Sequence, residues 1–224
     1  MNKKKLLELL EVVIENYISR GEPVGSKLLN STETTEYAPS TLRKYLNILE
    51  GEGFLYQPYH SAGRLPTIKG FSSYIDNILE EEKFEFTKLN FDVNYARNSL
   101  NFVVETLGNK ADGAVVGFLR NDEYYFLGIN NLLTQDNIKD YETFKYIVNF
   151  IEGKKIIKHF NKKLIKENIV HYSFIKNSDK ILSIMYVKVN INGYDGLLAI
   201  IGPVRINYKK NLSILKKFLK IYNE

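Results

Sequence analysis

The stretch GFLYQPYHSAGRLPTIKGFSSYID, from Gly53 to Asp76, has the pattern of a short β-hairpin that runs directly into a helix. Residues 54–56 are apolar or aromatic and can form one strand. Residues 57–63 form a polar loop that contains Pro and Gly, and residues 64–65 return as a second strand that ends at Pro66. The hairpin loop is therefore predicted to project from the core of the domain to which the following helix belongs.

The helix that follows the hairpin has its own start signal. Thr67 stands where an N-cap residue is expected, and Phe71, Tyr74, Ile75 and Ile78 then recur at three- and four-residue spacing. Strand, loop, strand and helix are thus continuous in the chain.

Three further helices are predicted before the hairpin. Residues 6–18 carry an apolar stripe at helical period, and residues 21–23 (Gly-Glu-Pro) end that helix. A second, short helix begins near Val24, with Ser26 as its cap. The third begins at Pro39, which suits a first helical turn, and runs to residue 51.

Three helices, a hairpin and a fourth helix are the pattern of a winged helix-turn-helix DNA-binding domain, in which the third helix enters the major groove. The outer face of the third helix carries side chains that can bond base edges and phosphates. The hairpin loop is the predicted wing. The candidate DNA-binding residues are Ser26, Lys27, Ser40, Thr41, Arg43, Lys44, Asn47, His60, Ser61, Arg64, Thr67 and Lys69.

Several of these candidates also have an interpretation that does not involve DNA. Arg43 is favoured as a DNA contact over a solvated helix arginine. Lys44 and Asn47 can equally well face water, and His60 can be an exposed loop residue with no partner. Arg64 can instead cap the wing turn by bonding backbone carbonyl groups.

Charge is distributed unevenly along the chain. Residues 1–78 contain nine basic and nine acidic residues, so a DNA-binding role there depends on where the basic groups lie. Residues 154–220 contain fifteen basic and three acidic residues. That excess is interpreted as a solvated lysine-rich surface, with a second phosphate-binding surface as the alternative.

An acidic run at residues 80–85 is predicted to be a linker or a solvated helix end, and as the domain boundary it gives a DNA-binding domain at residues 1–82 and a second domain at residues 83–224. The second domain is predicted to consist of helices beside an antiparallel sheet, so the predicted fold class is α+β. Its first predicted elements are a helix from about Asn94 to Gly108, a hairpin of residues 114–119 and 124–129, and a helix through residues 144–151 with a short one after it. They are followed by strands 181–191 and 197–201 around a type I′ turn at Asn192-Gly193, and by a last helix capped near Asn207. Gly202-Pro203 is expected to be a turn beside a buried or bridging Arg205.

Several strings of the chain resemble one family. EPVGSKLL (22–29), STLRK (40–44) and QPYHSAGRLPTIKGF (57–71) resemble the winged-helix domain of the HrcA-type heat-inducible transcription repressors. GLLAIIGPVRINY (196–208) resembles the C-terminal part of these repressors, and residues 130–153 do so more loosely.

The resemblance implies a GAF-like second domain and a homodimer that binds double-stranded DNA at an inverted-repeat operator of the CIRCE type. It also implies repression of chaperone genes and a GroEL-type chaperonin as partner. The chain departs from the family pattern in three places. An inserted dimerisation domain is missing after the strand at residues 124–129, Lys44 replaces the usual Asn, and Tyr59-His60 replaces a common His-Thr pair.

Other classes of function find little support in the sequence. The chain has no Cys, and its three His residues lack metal-ligand spacing. No catalytic residue, cofactor or metal site is therefore expected, and no stretch resembles a signal peptide or a membrane span. A cytoplasmic regulator is expected, with a winged-helix regulator whose GAF-like domain senses a ligand as the alternative.

Overall fold

The computed structural model describes residues 3–31, 37–80, 90–133, 141–160 and 165–223. The chain divides into two compact units, residues 1–82 and residues 83–224. Most of the predicted acidic linker lies outside the described residues.

The described residues of the first unit form four helices, which are α1 (Lys3–Arg20), α2 (Ser26–Ser31), α3 (Pro39–Gly51) and α4 (Ile68–Glu80). Each of the longer helices buries one apolar stripe, as helical spacing predicts. The buried side chains include Leu9, Leu10, Val13 and Ile14 of α1, Leu42, Leu46 and Leu49 of α3, and Phe71, Tyr74, Ile75 and Ile78 of α4.

Between α3 and α4 lies an antiparallel hairpin of β1 (Leu55–Tyr56) and β2 (Leu65–Pro66). Val24 pairs with Arg64 through two backbone hydrogen bonds of 2.9 and 2.8 Å. The segment between α1 and α2 therefore lies beside the hairpin and pairs with it at Arg64. The local sequence pattern did not predict this contact.

The second unit contains a five-stranded antiparallel sheet in the order β4-β3-β7-β6-β5. The strands are β3 (Ala114–Leu119), β4 (Tyr124–Leu127), β5 (His171–Asn177), β6 (Lys180–Ile191) and β7 (Tyr194–Pro203). The turn between β6 and β7 has positive φ at both Asn192 (51°) and Gly193 (80°), as the predicted type I′ turn requires.

Helices cover the sheet. One face packs against α7 (Ile129–Leu133), α8 (Tyr141–Glu152) and α9 (Lys155–Phe160) around a core that includes Val116, Ile147, Ile184 and Ala199. On the other face, Gly117 of β3 lies against Leu100 and Val104 of α6 (Leu100–Gly108). The remaining helices are α5 (Val93–Ala96) and α10 (Tyr208–Asn223), and α10 contacts both β6 and α5.

The start of α10 is held by two side chains. Asn207 Oδ1 accepts the Lys210 N–H at 2.9 Å, which confirms the predicted cap. Asp112 Oδ2 accepts the Asn207 N–H at 2.6 Å. Burial raises the pKa of the Asp112 carboxyl group, although the Asn207 hydrogen bond and the Lys210 charge act in the opposite direction.

Three local predictions for the second unit need correction, and one strand was not predicted. The strand predicted to reach residue 129 ends at Leu127, because Gly128 has a φ of 87° and α7 begins at Ile129. Gly202-Pro203 lies within β7 and is not a turn, although Arg205 is buried as expected. The helix predicted from about Asn94 to Gly108 is divided into α5 and α6, because the Ser99 side chain caps a new helix start. The strand β5 was not predicted.

Candidate nucleic-acid interface

The third helix presents one polar face to solvent. Leu42, Leu46 and Leu49 are buried at three- and four-residue spacing, so the residues between them face outward. The exposed residues of this face are Ser40, Arg43, Lys44 and Asn47, and Thr41 is half-buried. The face thus combines two cations with hydroxyl and amide groups.

Arg43 is linked to the preceding helix. Its Nε donates to Ser26 Oγ at 3.3 Å, and Ser26 is only 8% exposed. Ser26 is the first residue of α2, not the residue before it. Lys27, the next residue, is exposed. The contact joins α2 and α3, and it restrains the guanidinium group that α3 presents.

The hairpin loop is closed by its own hydrogen bonds. Gln57 Nε2 donates to the Ala62 carbonyl at 2.9 Å, and the Ala62 N–H donates to the Tyr59 carbonyl at 3.0 Å. Ser61 has a φ of 69°, in the left-handed region. Tyr59, His60 and Ser61 are exposed, with Tyr59 at 68%, so they form the tip of the loop.

Arg64 ties the hairpin to α3. Its Nε donates to Glu50 Oε2 at 2.9 Å and one terminal nitrogen donates to Asn47 Oδ1 at 2.8 Å. The other terminal nitrogen reaches the Ala62 carbonyl at 3.4 Å. The arginine side chain is 16% exposed. The guanidinium group therefore holds loop and helix in a fixed relation, in line with the alternative that Arg64 caps the turn.

The start of α4 is also bonded to the hairpin. Thr67 Oγ1 accepts the Gly70 N–H at 3.1 Å, which confirms its predicted capping role, and its hydroxyl lies 2.7 Å from the Gly53 carbonyl oxygen. Lys69 Nζ donates to the Glu52 carbonyl at 2.6 Å and lies 4.6 Å from the centre of the Phe54 ring. Both side chains thus have partners within the unit.

The family is decided by comparison with known proteins. Residues 67–212 match the model of the HrcA family, described as the HrcA protein C-terminal domain, and they make up well over half of the chain. The chain belongs to the HrcA family.

Individual relatives agree with this family membership. The heat-inducible transcription repressor HrcA of Alkaliphilus metalliredigens is 42% identical over 83 residues, which is 37% of this chain and 24% of the relative. The HrcA repressor of Brevibacillus brevis is 37% identical over 81 residues, covering 36% of this chain and 24% of the relative. The matched stretch therefore spans about a quarter of these curated HrcA relatives.

A solved structure of a protein described as hypothetical has the same fold. It superposes with a TM-score of 0.74 and covers 99% of this chain and 97% of its own, at 15% sequence identity. At that identity the likeness concerns the fold alone.

The structure of this HrcA-family chain gathers the candidate residues into three groups. Ser26 lies with Arg43, Arg64 with Asn47, and Thr67 and Lys69 with residues 52–54. Lys27, Lys44, His60 and Ser61 are exposed. The sequence did not reveal the part played by Glu50, although its position in the last turn of α3 was an available signal.

The described residues show no sign of two other kinds of site. They contain no group of three or more His, Cys, Asp or Glu side chains arranged to hold a metal ion. Among the same residues, no helix has the length and apolar character that a membrane crossing needs.

Proposed function

We propose that this HrcA-family chain is a DNA-binding transcription repressor of heat-shock genes, with a winged-helix unit at residues 1–82 and a GAF-like regulatory unit at residues 83–224. The observation that carries the proposal is the polar face of α3, which stands beside a closed hairpin loop and is fixed to that loop through Arg64. The relatives named as heat-inducible transcription repressors supply the class of target genes.

In this proposal α3 is the recognition helix. Arg43 is the principal base contact, since arginine bonds the O6 and N7 atoms of guanine with two parallel donors. Ser26 positions that guanidinium group and does not contact DNA itself, because its side chain is buried. Ser40, Thr41, Lys44 and Asn47 line the rest of the helix face.

The hairpin loop acts as the wing and grips the flanking backbone. His60 and Ser61 lie at its exposed tip together with Tyr59, where hydroxyl, imidazole and backbone N–H groups can reach phosphate oxygens. Lys27 supplies an exposed cation on α2 for the same purpose. Arg64, Thr67 and Lys69 chiefly hold the wing in place, because each already bonds to other groups in the unit.

Two copies bind an inverted repeat of the CIRCE type, with the two recognition helices about one helical turn, ~34 Å, apart. The bound dimer blocks transcription of chaperone genes. A GroEL-type chaperonin keeps the repressor active, and heat-damaged proteins compete for that chaperonin. The protein acts in the cytoplasm and catalyses no reaction.

The recognition helix is tested by comparing Arg43→Ala with Lys27→Ala. Since one good base contact contributes about 1–3 kcal/mol of discrimination, Arg43→Ala should weaken operator binding and reduce the preference over random DNA. Lys27→Ala should weaken binding to all sequences alike and lower the slope of affinity against salt by about one unit. Fluorescence anisotropy with operator and scrambled duplexes measures both quantities.

Circular dichroism controls for folding of both variants. Unchanged operator preference in a folded Arg43→Ala protein would refute the assignment of α3 as the recognition helix.

A further inference from the structure

The strand β4 forms an exposed apolar edge of the five-stranded sheet. It pairs with β3 on one side, and no strand of the described part of the chain pairs with the other side. Tyr125, Phe126 and Leu127 are 39%, 38% and 38% exposed, and Leu133 of the following helix is 58% exposed. An uncovered edge of this kind is a template for pairing with another strand, and proteins usually protect such edges with Lys, Pro or a bulge. None of these interrupts the sequence Tyr-Tyr-Phe-Leu of β4.

Hydrogen bonding within the sheet shows which backbone groups point outward. The Leu119 N–H donates to the Glu123 carbonyl at 3.0 Å, so residues 119 and 123 form a hydrogen-bonded pair. Along two antiparallel strands, residue pairs that exchange hydrogen bonds alternate with pairs that do not. The pair of Gly117 and Tyr125 lies two positions along from residues 119 and 123, so it is again a hydrogen-bonded pair. Tyr125 therefore bonds to β3, whereas the N–H and C=O groups of Tyr124 and Phe126 point away from the sheet.

We infer that β4 is the strand through which two copies of this chain pair, antiparallel and about a two-fold axis at Tyr125. This inference rests on the two-fold dimer that the proposed inverted-repeat operator requires. In this register Tyr124 of each copy lies opposite Phe126 of the other, so both outward-pointing residues of β4 exchange backbone hydrogen bonds. The two sheets become one sheet of ten strands.

The charges near β4 favour a second copy as the occupant. The strand itself is uncharged, although the chain carries a net charge of +5. With the axis at Tyr125, Glu123 lies opposite Leu127 of the other copy, and no like charges are placed opposite each other along the paired strands. The same strand thus supplies both halves of a self-complementary contact.

The exposed area indicates a weak dimer. At 38–39% exposure, the three β4 side chains of the two copies offer roughly 500 Å² to bury, against the ~1,200 Å² or more of a stable interface. Two copies are therefore expected to associate weakly in free solution and more tightly when both bind one DNA molecule.

A single-cysteine variant tests the register, because the natural chain contains no cysteine. Residues that face each other without hydrogen bonds in an antiparallel pair have Cα atoms about 4.5 Å apart, within the ~4.4–6.8 Å range of a disulfide. Full-length Tyr125→Cys should form a covalent dimer under mild oxidation on an inverted-repeat duplex. Lys176→Cys, an exposed position on the opposite edge strand β5, should not. No crosslink at position 125, or equal crosslinking at both positions, would overturn the inference.

A charge at the edge gives a second measurement. Phe126→Lys places a lysine on the pairing strand of each copy and should weaken dimerisation, measured by sedimentation, by about tenfold or more. Tyr141→Lys is the matched control, since Tyr141 is 70% exposed and lies on α8. A folded Phe126→Lys protein that still dimerises normally would contradict the inference.

Different results would refute the β4 interface and the proposed function. If the inverted repeat is bound as a dimer regardless of Phe126→Lys, the β4 interface is wrong and the proposed function stands. If Tyr125→Cys forms the covalent dimer but the dimer does not prefer an inverted repeat to a single half-site, the interface stands and the proposed function is wrong.

Discussion

Arg64 can act on DNA or within the protein, and its surroundings favour the second role. Its guanidinium group bonds the Glu50 carboxylate, the Asn47 amide and the Ala62 carbonyl, so most of its donors are already used. A duplex that competed for these donors would have to break bonds that position the wing. From the sequence, the proximity of Gly63 and Pro66 suggested a structural role, but the acidic partner on α3 could not be deduced from local spacing.

Two substitutions distinguish a structural role of Arg64 from a direct contact with DNA. Arg64→Ala should destabilise the first unit by about 1–2 kcal/mol, because it removes a charge-assisted hydrogen bond that is partly shielded from water. Glu50→Gln should destabilise it by less, because the Gln side-chain oxygen can still accept the Arg64 Nε–H and only the charge is lost. Urea unfolding of both single variants and the double variant gives the coupling energy of the pair. A Glu50→Gln protein of unchanged stability, beside an Arg64→Ala protein that loses only DNA binding, would contradict this interpretation.

At the scale of elements, local chemistry predicted the positions where helices begin and hairpins turn. Pro39 opens α3, Thr67 caps α4 and Asn207 caps α10, each through a signal contained in a few neighbouring residues. Long-range pairing was not predictable in this way. The bond between Val24 and Arg64 joins segments that are forty residues apart, and the polar edge strand β5 has too weak an alternation of apolar residues to be recognised.

At Gly63 the wing approaches the segment before α2 so closely that there is no room for a side chain. A Cβ atom at this position would lie 2.6 Å from backbone atoms of both Pro23 and Val24, and backbone cannot move aside cheaply. Gly63→Ala should therefore destabilise the first unit by more than about 2 kcal/mol and weaken DNA binding.

Gly51→Ala is the matched control for Gly63→Ala. A Cβ atom there meets nothing within 4 Å, and alanine favours the end of α3, so its stability should be unchanged or slightly higher. Thermal unfolding of both variants measures the difference. Equal stabilities would show that the wing does not depend on this close approach.

For the chain as a whole, the sequence indicated two units and their fold class but not the surface that we propose for dimerisation. The exposed edge of β4 became visible only once the strand order was known, because sequence does not show which strand lies at the border of a sheet. The apolar residues Leu132, Ile147 and Ile200 are fully buried, whereas Leu133 is 58% exposed.

The response to heat is predicted to reside in the second unit. A unit of this kind has a stability of about 5–15 kcal/mol, to which the dimer contact contributes, and its opening exposes apolar side chains that a chaperonin binds. The full chain should lose operator binding on mild heating and regain it with added chaperonin. Residues 1–82 fused to an unrelated stable dimeriser should keep binding at that temperature. Loss of binding by both proteins at the same temperature would contradict this prediction.

A footprint on the promoter of the organism's own chaperonin operon would show whether this HrcA-family chain binds an inverted-repeat operator as a two-fold dimer. We expect two protected segments about one helical turn apart, related by the two-fold axis of an inverted repeat. They should persist at a salt concentration that removes binding to random DNA. Protection spread evenly along the DNA, or none at that salt concentration, would contradict this expectation.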